Sequence, residues 1–318
     1  MTSTERTKKT ILGEGADRTP VYGWVSANLS KQITERWGSV AAFEDKYEFD
    51  MAHIFGGPGT YDGNVLNGLR ADGEITPDVL VDVPQLSPDN MADYGNIVAA
   101  LKHHKQRDRF CYIQTPGLFE HFNGIFGIEN HLCYLAEYPD EIAELYRKQA
   151  DWNTCFAINC VELGLDMIHI SDDWGAQRDL MFSPRMWYEY IFPNMKRVVD
   201  AVHDAGSLAS LHSDGCVMPV LDGIVDMGFD AMHPFQESAG MSYDVWLEKY
   251  SEKFAVLGGL CIQTTLGFGD IPRLESEIRR VFGLLRGKRW MLCTTHFVQD
   301  HCSMDELEFA YDLIMKLR

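Results

Sequence analysis

The chain has 318 residues, of which 46% are hydrophobic and 12% aromatic; 28 Lys+Arg against 47 Asp+Glu leave a formal net charge of −19. That much apolar side chain excludes wholesale disorder, because a large core can be buried. The acidity argues against a nucleic-acid or anionic-membrane partner, which would need a basic face, and no run of about 20 apolar residues is present to cross a bilayer.

The opening residues Met1–Thr10 lack the apolar stretch of a signal peptide, so a cytoplasmic location is expected. Eight short, continuously apolar runs follow: Val21–Val25, Met51–Phe55, Phe110–Ile113, Met167–Ile170, Leu208–Leu211, Ala231–Phe235, Phe254–Leu257 and Trp290–Leu292. Runs of this kind read as parallel strands buried on both faces. Between them lie helix signals. Ser183-Pro184 opens an apolar-periodic stretch ending before Gly206, and Pro139–Leu163, Pro272–Leu285 and Met304–Leu317 read likewise. Alternating strand and helix implies an α/β fold, a (β/α)8 TIM barrel, with an open doubly wound sheet as the alternative. With no linker or repeat in the sequence, we expect a single domain over 1–318. Residues before the first strand form an N-terminal extension, and the long segment from Gly56 to Arg109 reads as an insertion after the second strand.

Barrel active sites sit at the C-terminal ends of the strands, so the strand tips are a functional scan. They carry Gly56–Gly63 with Tyr61, then Gln114–Gly117, Ser171–Gln177, His212–Cys216, Pro234–Glu237, Gly258–Gln263 and Cys293–His296. His212, Glu237 and His296 form a candidate first shell for zinc, since imidazole and carboxylate both suit that ion and three ligands leave a position open. Cys293 is a candidate fourth ligand, with Asp214 as a substitute. The alternative is that both histidines are hydrogen-bonded loop residues and Glu237 a solvated acid. Asp172 and Asp173 follow an apolar strand directly. Side-chain alternation sends them different ways, one towards substrate or proton transfer and the other towards capping a helix. Asp172 and Asp214 are the candidate catalytic acids. Tyr61, Gln114, Asp173, Trp174, Gln177 and Phe235 are the candidate substrate-binding residues. His169 and His233, inside apolar runs, read as core histidines. The eight cysteines form no CxxC pair, so they read as reduced thiols, mostly in the core.

His212-Ser213-Asp214-Gly215, Ser171-Asp172-Asp173-Trp174-Gly175, Ser183-Pro184, Gly258-Gly259 and Thr295-His296 together resemble the uroporphyrinogen decarboxylase superfamily over roughly residues 18–318. The resemblance implies a (β/α)8 barrel and two activities, porphyrinogen decarboxylation or methyl transfer to and from corrinoids. The decarboxylases carry an arginine-rich stretch after the first strand. Here Trp24–Lys31 contains no arginine, leaving a polyanionic porphyrinogen without matching cations. The methyltransferase branch is similar in placing a zinc ligand at the position of His212. Asp214 stands where that branch has a cysteine, Glu237 resembles the glutamate ligand of the methionine synthase arrangement, and His296 falls at the last cysteine. Such a site is a harder Lewis acid than a thiolate one and suits an oxygen or nitrogen of a methyl donor. The expected function is zinc-dependent transfer of a methyl group from a small methylated donor, such as a methoxylated aromatic, to cobalamin on a partner corrinoid protein; the chain has no Asp-x-His-x-x-Gly corrinoid motif of its own. A homodimer is compatible with this reading. The competing reading is a metal-independent decarboxylase acting on a smaller acid.

Overall fold

A computed structural model describes residues 1–318. Seven parallel strands lie in one sheet in the order of the chain: β1 (Met51–Ile54), β2 (Phe110–Pro116), β3 (Met167–Ser171), β4 (Leu208–His212), β5 (Ala231–His233), β6 (Ala255–Leu260) and β7 (Trp290–Thr294). Helices separate them, as a parallel sheet requires, and the topology is TIM-barrel-like. The strands are buried along almost their whole length, which is why they read in the sequence as unbroken apolar runs.

The run Val21–Val25 is not a full strand. Only Val21 bridges, parallel, to Leu292, while the Tyr22 N–H donates to the Leu292 carbonyl and the Asp50 N–H to the Val21 carbonyl. Extension stops there for identifiable reasons. Pro20 has no N–H to give, a Cβ at Gly23 would lie 1.7 Å from the Tyr311 hydroxyl, and the chain enters a helix at Ser26–Trp37. The other seven runs are strands, some longer by one to three residues than their apolar cores.

The chain divides into two compact units. The first comprises Met1–Ala52, His104–Phe110 and Asp230–Arg318 and holds β5–β7. Its N-terminal helix Ser3–Leu12 carries a capping box, Thr2 with Glu5, and ends at Gly13 in the left-handed region. Beneath it Asp50, fully buried, accepts from Arg6, from both terminal nitrogens of Arg18 and from the Val21 N–H. The helices Ile271–Leu285 and Met304–Leu317 match the sequence signals and pack on each other.

The second unit comprises His53–His103 and Cys111–Phe229 and holds β2–β4. Its residues before β2 form helices at Gly63–Asp72, Pro77–Leu80 and Gly95–Lys105. The stretch from Ser183 is a short turn, a π-helical segment at Trp187–Ile191 and the helix Phe192–Asp204. Parallel register aligns Pro116 with Ser171 and Ser171 with His212, so three strand tips end at one level.

Candidate functional site

That shared level puts Gly117, Asp172 and Ser213 side by side, and the backbone there allows no extra atom. A Cβ at Gly117 would lie 2.4 Å from the Asp172 Cγ, and one at Gly175 would lie 2.5 Å from the Cys216 nitrogen. The β3 and β4 loops are also joined by hydrogen bonds. The Asp172 N–H donates to the His212 carbonyl (2.9 Å) and the Cys216 N–H to the Ala176 carbonyl (2.8 Å). The Trp174 N–H donates to the Ser213 hydroxyl (3.2 Å).

Asp172 and Asp173 diverge, as alternation demands. Asp172 is fully buried, and its Oδ1 accepts the Glu120 N–H at 2.7 Å. The amides of Leu118 and Phe119 also favour its charge, so it caps the start of the helix Phe119–Phe126 from a neighbouring strand. The second oxygen, Oδ2, has no hydrogen-bond partner; the Trp174 indole N–H favours the charged carboxylate from outside ordinary hydrogen-bond geometry. Asp173 turns the other way, and its Oδ1 accepts the Asp214 N–H at 2.7 Å. It stands 3.6 Å from His212 Nε2, and Asp214 Oδ1 stands 4.0 Å from the same nitrogen. Glu120, in the first helical turn after β2, completes the cluster by accepting from the Ser171 hydroxyl at 2.8 Å.

Two carboxyl groups, Asp173 and Asp214, thus stand by the His212 imidazole with Glu120 and Asp172 alongside them, and desolvation chiefly sets the ionisation of Glu120, Asp172 and Asp214. Glu120 is pushed up to about 7, first by desolvation and then by the charges of Asp173 and Asp172, against the Ser171 hydrogen bond. Asp214 is pushed up to about 7 by desolvation and by its neighbours Asp173 and Glu120. Asp172 is raised to about 6 by desolvation, opposed by the amides of Glu120, Leu118 and Phe119 and by the Trp174 indole. Near neutral pH the cluster therefore holds exchangeable protons rather than four fixed charges. Beneath it, His169 is buried with Nδ1 on the Ser210 hydroxyl (2.7 Å), and its ring lies 5.9 Å from that of His212. Tyr146, fully buried and electrostatically coupled to Asp172, bonds His131 Nε2, whose Nδ1 meets Asn123 Oδ1.

The structure brings together Asp172, Asp173, His212 and Asp214 from the sequence-derived set. Glu120 was not in it: a Glu in the first turn of a helix reads as a dipole partner, and only the strand register shows that it meets Ser171. Gln114 is half-buried on β2, and Tyr61 is buried, its ring stacked on His121. Trp174 is wholly buried against Trp187, and Phe235 lies in the core against Tyr243 and Phe254. Gln177 is exposed in the loop after β3.

Glu237, Cys293 and His296 belong to the first unit and His212 to the second. The Glu237 carboxylate is ion-paired with Arg280. Cys293 is fully buried, and desolvation holds its thiol neutral. His296 is half-buried, edge-on to Trp24 and Phe297. His233 is buried, stacked on Trp24 and bonded through Nε2 to the Thr294 carbonyl. Within one unit, Asp173, His212 and Asp214 form a compact donor set, whose ligand atoms all lie within 4.8 Å of one another. One imidazole nitrogen and two carboxylate oxygens fit zinc or a harder divalent ion.

The family model for uroporphyrinogen decarboxylase (URO-D) matches residues 123–316, more than half of the chain. Among solved structures, a methyltransferase from Methanosarcina mazei superposes with a TM-score of 0.73, covering 98% of both chains at 14% identity. At that identity the likeness establishes the fold. Lesser likenesses are a B12-independent methionine synthase from Shewanella sp. (TM-score 0.46, 12% identity, 73% of this chain and 68% of that one) and a sugar phosphate isomerase/epimerase from Parabacteroides distasonis (TM-score 0.46, 12% identity, 93% and 94%). No curated protein matches the sequence. No helix is long and apolar enough to cross a membrane.

Proposed function

The chain belongs to the uroporphyrinogen decarboxylase family, and we propose that within it the chain is a methyltransferase that takes a methyl group from a small methylated donor, such as a methoxylated aromatic, and passes it to a corrinoid carried by a partner protein. The observation that carries this reading is the set of proton-holding carboxyls, Glu120, Asp172 and Asp214, at the tips of β2–β4. When a methyl–oxygen bond breaks, its electron pair stays on oxygen, and the leaving group needs a proton. Glu120, with a carboxyl held near 7 and a hydroxyl partner in Ser171, is the donor suited to that task at neutral pH. Asp172 acts through it. By gripping the Glu120 amide it fixes where the acid stands.

Asp173, His212 and Asp214 would hold the zinc ion. Bound there, the metal supplies a Lewis acid towards the leaving atom of the donor. Protons and metal compete for Asp214, so metal affinity should weaken as pH falls below about 7.

The same cluster weighs against decarboxylation of a small acid. A carboxylate substrate would meet Asp173 with the carboxyls of Glu120 and Asp214 beside it and the His212 imidazole as the basic group among them, and each proton those carboxyls give up adds like charge against its binding.

The test is spectroscopic. Purified protein should bind about one zinc per chain, and His212→Ala should lose it. With reduced corrinoid and a panel of methyl ethers and methylamines, methylcob(III)alamin should form with the wild type. Release of CO2 from carboxylated candidates, with no methylcobalamin from any donor in the panel, would overturn the transferase reading in favour of the lyase.

A further inference from the structure

In the first unit, on the side away from the strand tips, a cavity of about 350 Å³ opens at the N-terminal ends of β6 and β7. Three chain segments wall it: the Gly13–Pro20 loop after the first helix, Ser251-Glu252 before β6, and Arg286–Trp290 leading into β7. Its size is within the range of small-ligand sites.

Its charge sets it apart in a chain of net −19. Two of its charged residues are already neutralised. Asp17 is paired in bidentate fashion with Arg6, and Arg18 likewise with Asp50. Of the rest, Glu252 is the one acid, and Arg286, Lys288 and Arg289 are three cations within four residues of one turn that contains no acid. Arg289 is anchored by the carbonyl oxygens of Ile11 and Glu252, so its guanidinium is fixed in place while keeping its charge. Burial lowers its pKa, and the charges of Asp230 and Glu252 oppose that. Arg286 and Lys288 are exposed beside it, and Thr10, Thr19 and Ser251 line the walls.

We propose that this cavity binds the phosphate group of a small phosphorylated molecule, with Arg289 as the fixed cation and Arg286 and Lys288 closing on the anion. A planar guanidinium and an ammonium together recognise phosphate oxygens by charge-assisted hydrogen bonds. The ligand is distinct from the methyl donor, and the proposal stands whether or not the methyltransferase reading does.

Calorimetric titration of the full chain at constant ionic strength tests it, with AMP, inorganic phosphate and adenosine as probes. AMP or phosphate should bind and adenosine should not, and tighter binding of AMP than of phosphate marks an organic phosphate as the ligand over the free ion. The double variant Arg286→Glu/Lys288→Glu, altered only at exposed side chains, should bind at least tenfold more weakly with an unchanged melting temperature. Binding of neither AMP nor phosphate above a chloride control, or equal binding by the variant, would overturn the site.

Discussion

Two regions of this molecule gather carboxylates and treat them in opposite ways. Under the N-terminal helix, Asp50 and Asp17 meet guanidinium groups: Asp50 is held by Arg6 and Arg18, and Asp17, driven down to about 2 chiefly by its hydrogen bond to Arg6, stays ionised at any ordinary pH. At the tips of β2–β4, Asp172 is fully buried and Glu120 and Asp214 are half-buried, and desolvation raises all three. The first arrangement locks charge in place and serves the fold. The second leaves protons exchangeable near neutrality, which is of little use to a fold and of direct use to a reaction.

The largest effect should come from breaking the locked region. Asp50→Ala leaves two guanidinium groups, from Arg6 and Arg18, facing a buried void. Removing one partner of a buried ion pair is worth about 3–5 kcal/mol, so the denaturant midpoint should fall steeply. A midpoint close to wild type would show that the two regions differ less than their geometry implies.

Glu120→Gln attacks the other region and should give the reverse profile. Methyl transfer should drop by about 10²–10⁴, the usual contribution of a positioned acid, while folding survives. The stability sign is also opposite. Glu120 has a folded-state pKa of about 7, above its ordinary 4.5, so its stabilising contribution is complete below about 4.5 and is lost as pH rises through 7. In metal-free protein, wild-type stability should therefore decline between pH 5 and 8, and Glu120→Gln should flatten that decline by on the order of 1 kcal/mol. Thermal melts at pH 5, 6.5 and 8 measure it.

Gly117→Ala tests whether the backbone enforces the cluster. Its Cβ would press on Asp172 and on the Ser171 carbonyl at 2.3–2.5 Å. Overpacking of this kind is worth about 1–3 kcal/mol, and displacement of Asp172 should lower the transfer rate beyond what the melt explains. A variant that loses stability but keeps its full rate would show that Asp172 need not be held there.

Much of this contrast could be read from the sequence, for definite reasons. Seven strands were legible because parallel strands buried on both faces are apolar at most positions. Val21–Val25 misled because its apolarity comes from packing near Tyr311 and from the entry to a helix, and not from a ladder. Asp172, Asp173, His212 and Asp214 were legible as polar residues at the ends of apolar runs. Glu120 was not, since its role depends on the Pro116–Ser171 register, which no local pattern encodes. Glu237 showed the converse. Its position at a strand tip was visible, whereas its ion pair with Arg280, 43 residues away, was not.

The finest cut through the comparison is Ser171→Ala. In the locked region hydrogen bonds and ion pairs act together, so no single hydroxyl sets an ionisation. At Glu120 the Ser171 hydroxyl is the one side-chain hydrogen bond opposing desolvation and the neighbouring carboxylates. It stabilises the ionised form, so its loss should raise the Glu120 pKa further. A net hydrogen bond of about 0.5–1.5 kcal/mol corresponds to roughly 0.4–1 pH unit. Because the acid must be protonated to act, the alkaline limb of the transfer rate should move to higher pH by that amount, with the plateau at pH 6 nearly unchanged. A limb that stays in place would assign the titration to Asp214, whose carboxyl lies in the same range and has no such bond to Ser171. The pH–rate curves of Ser171→Ala and Glu120→Gln together therefore identify which of the two acids gives up its proton.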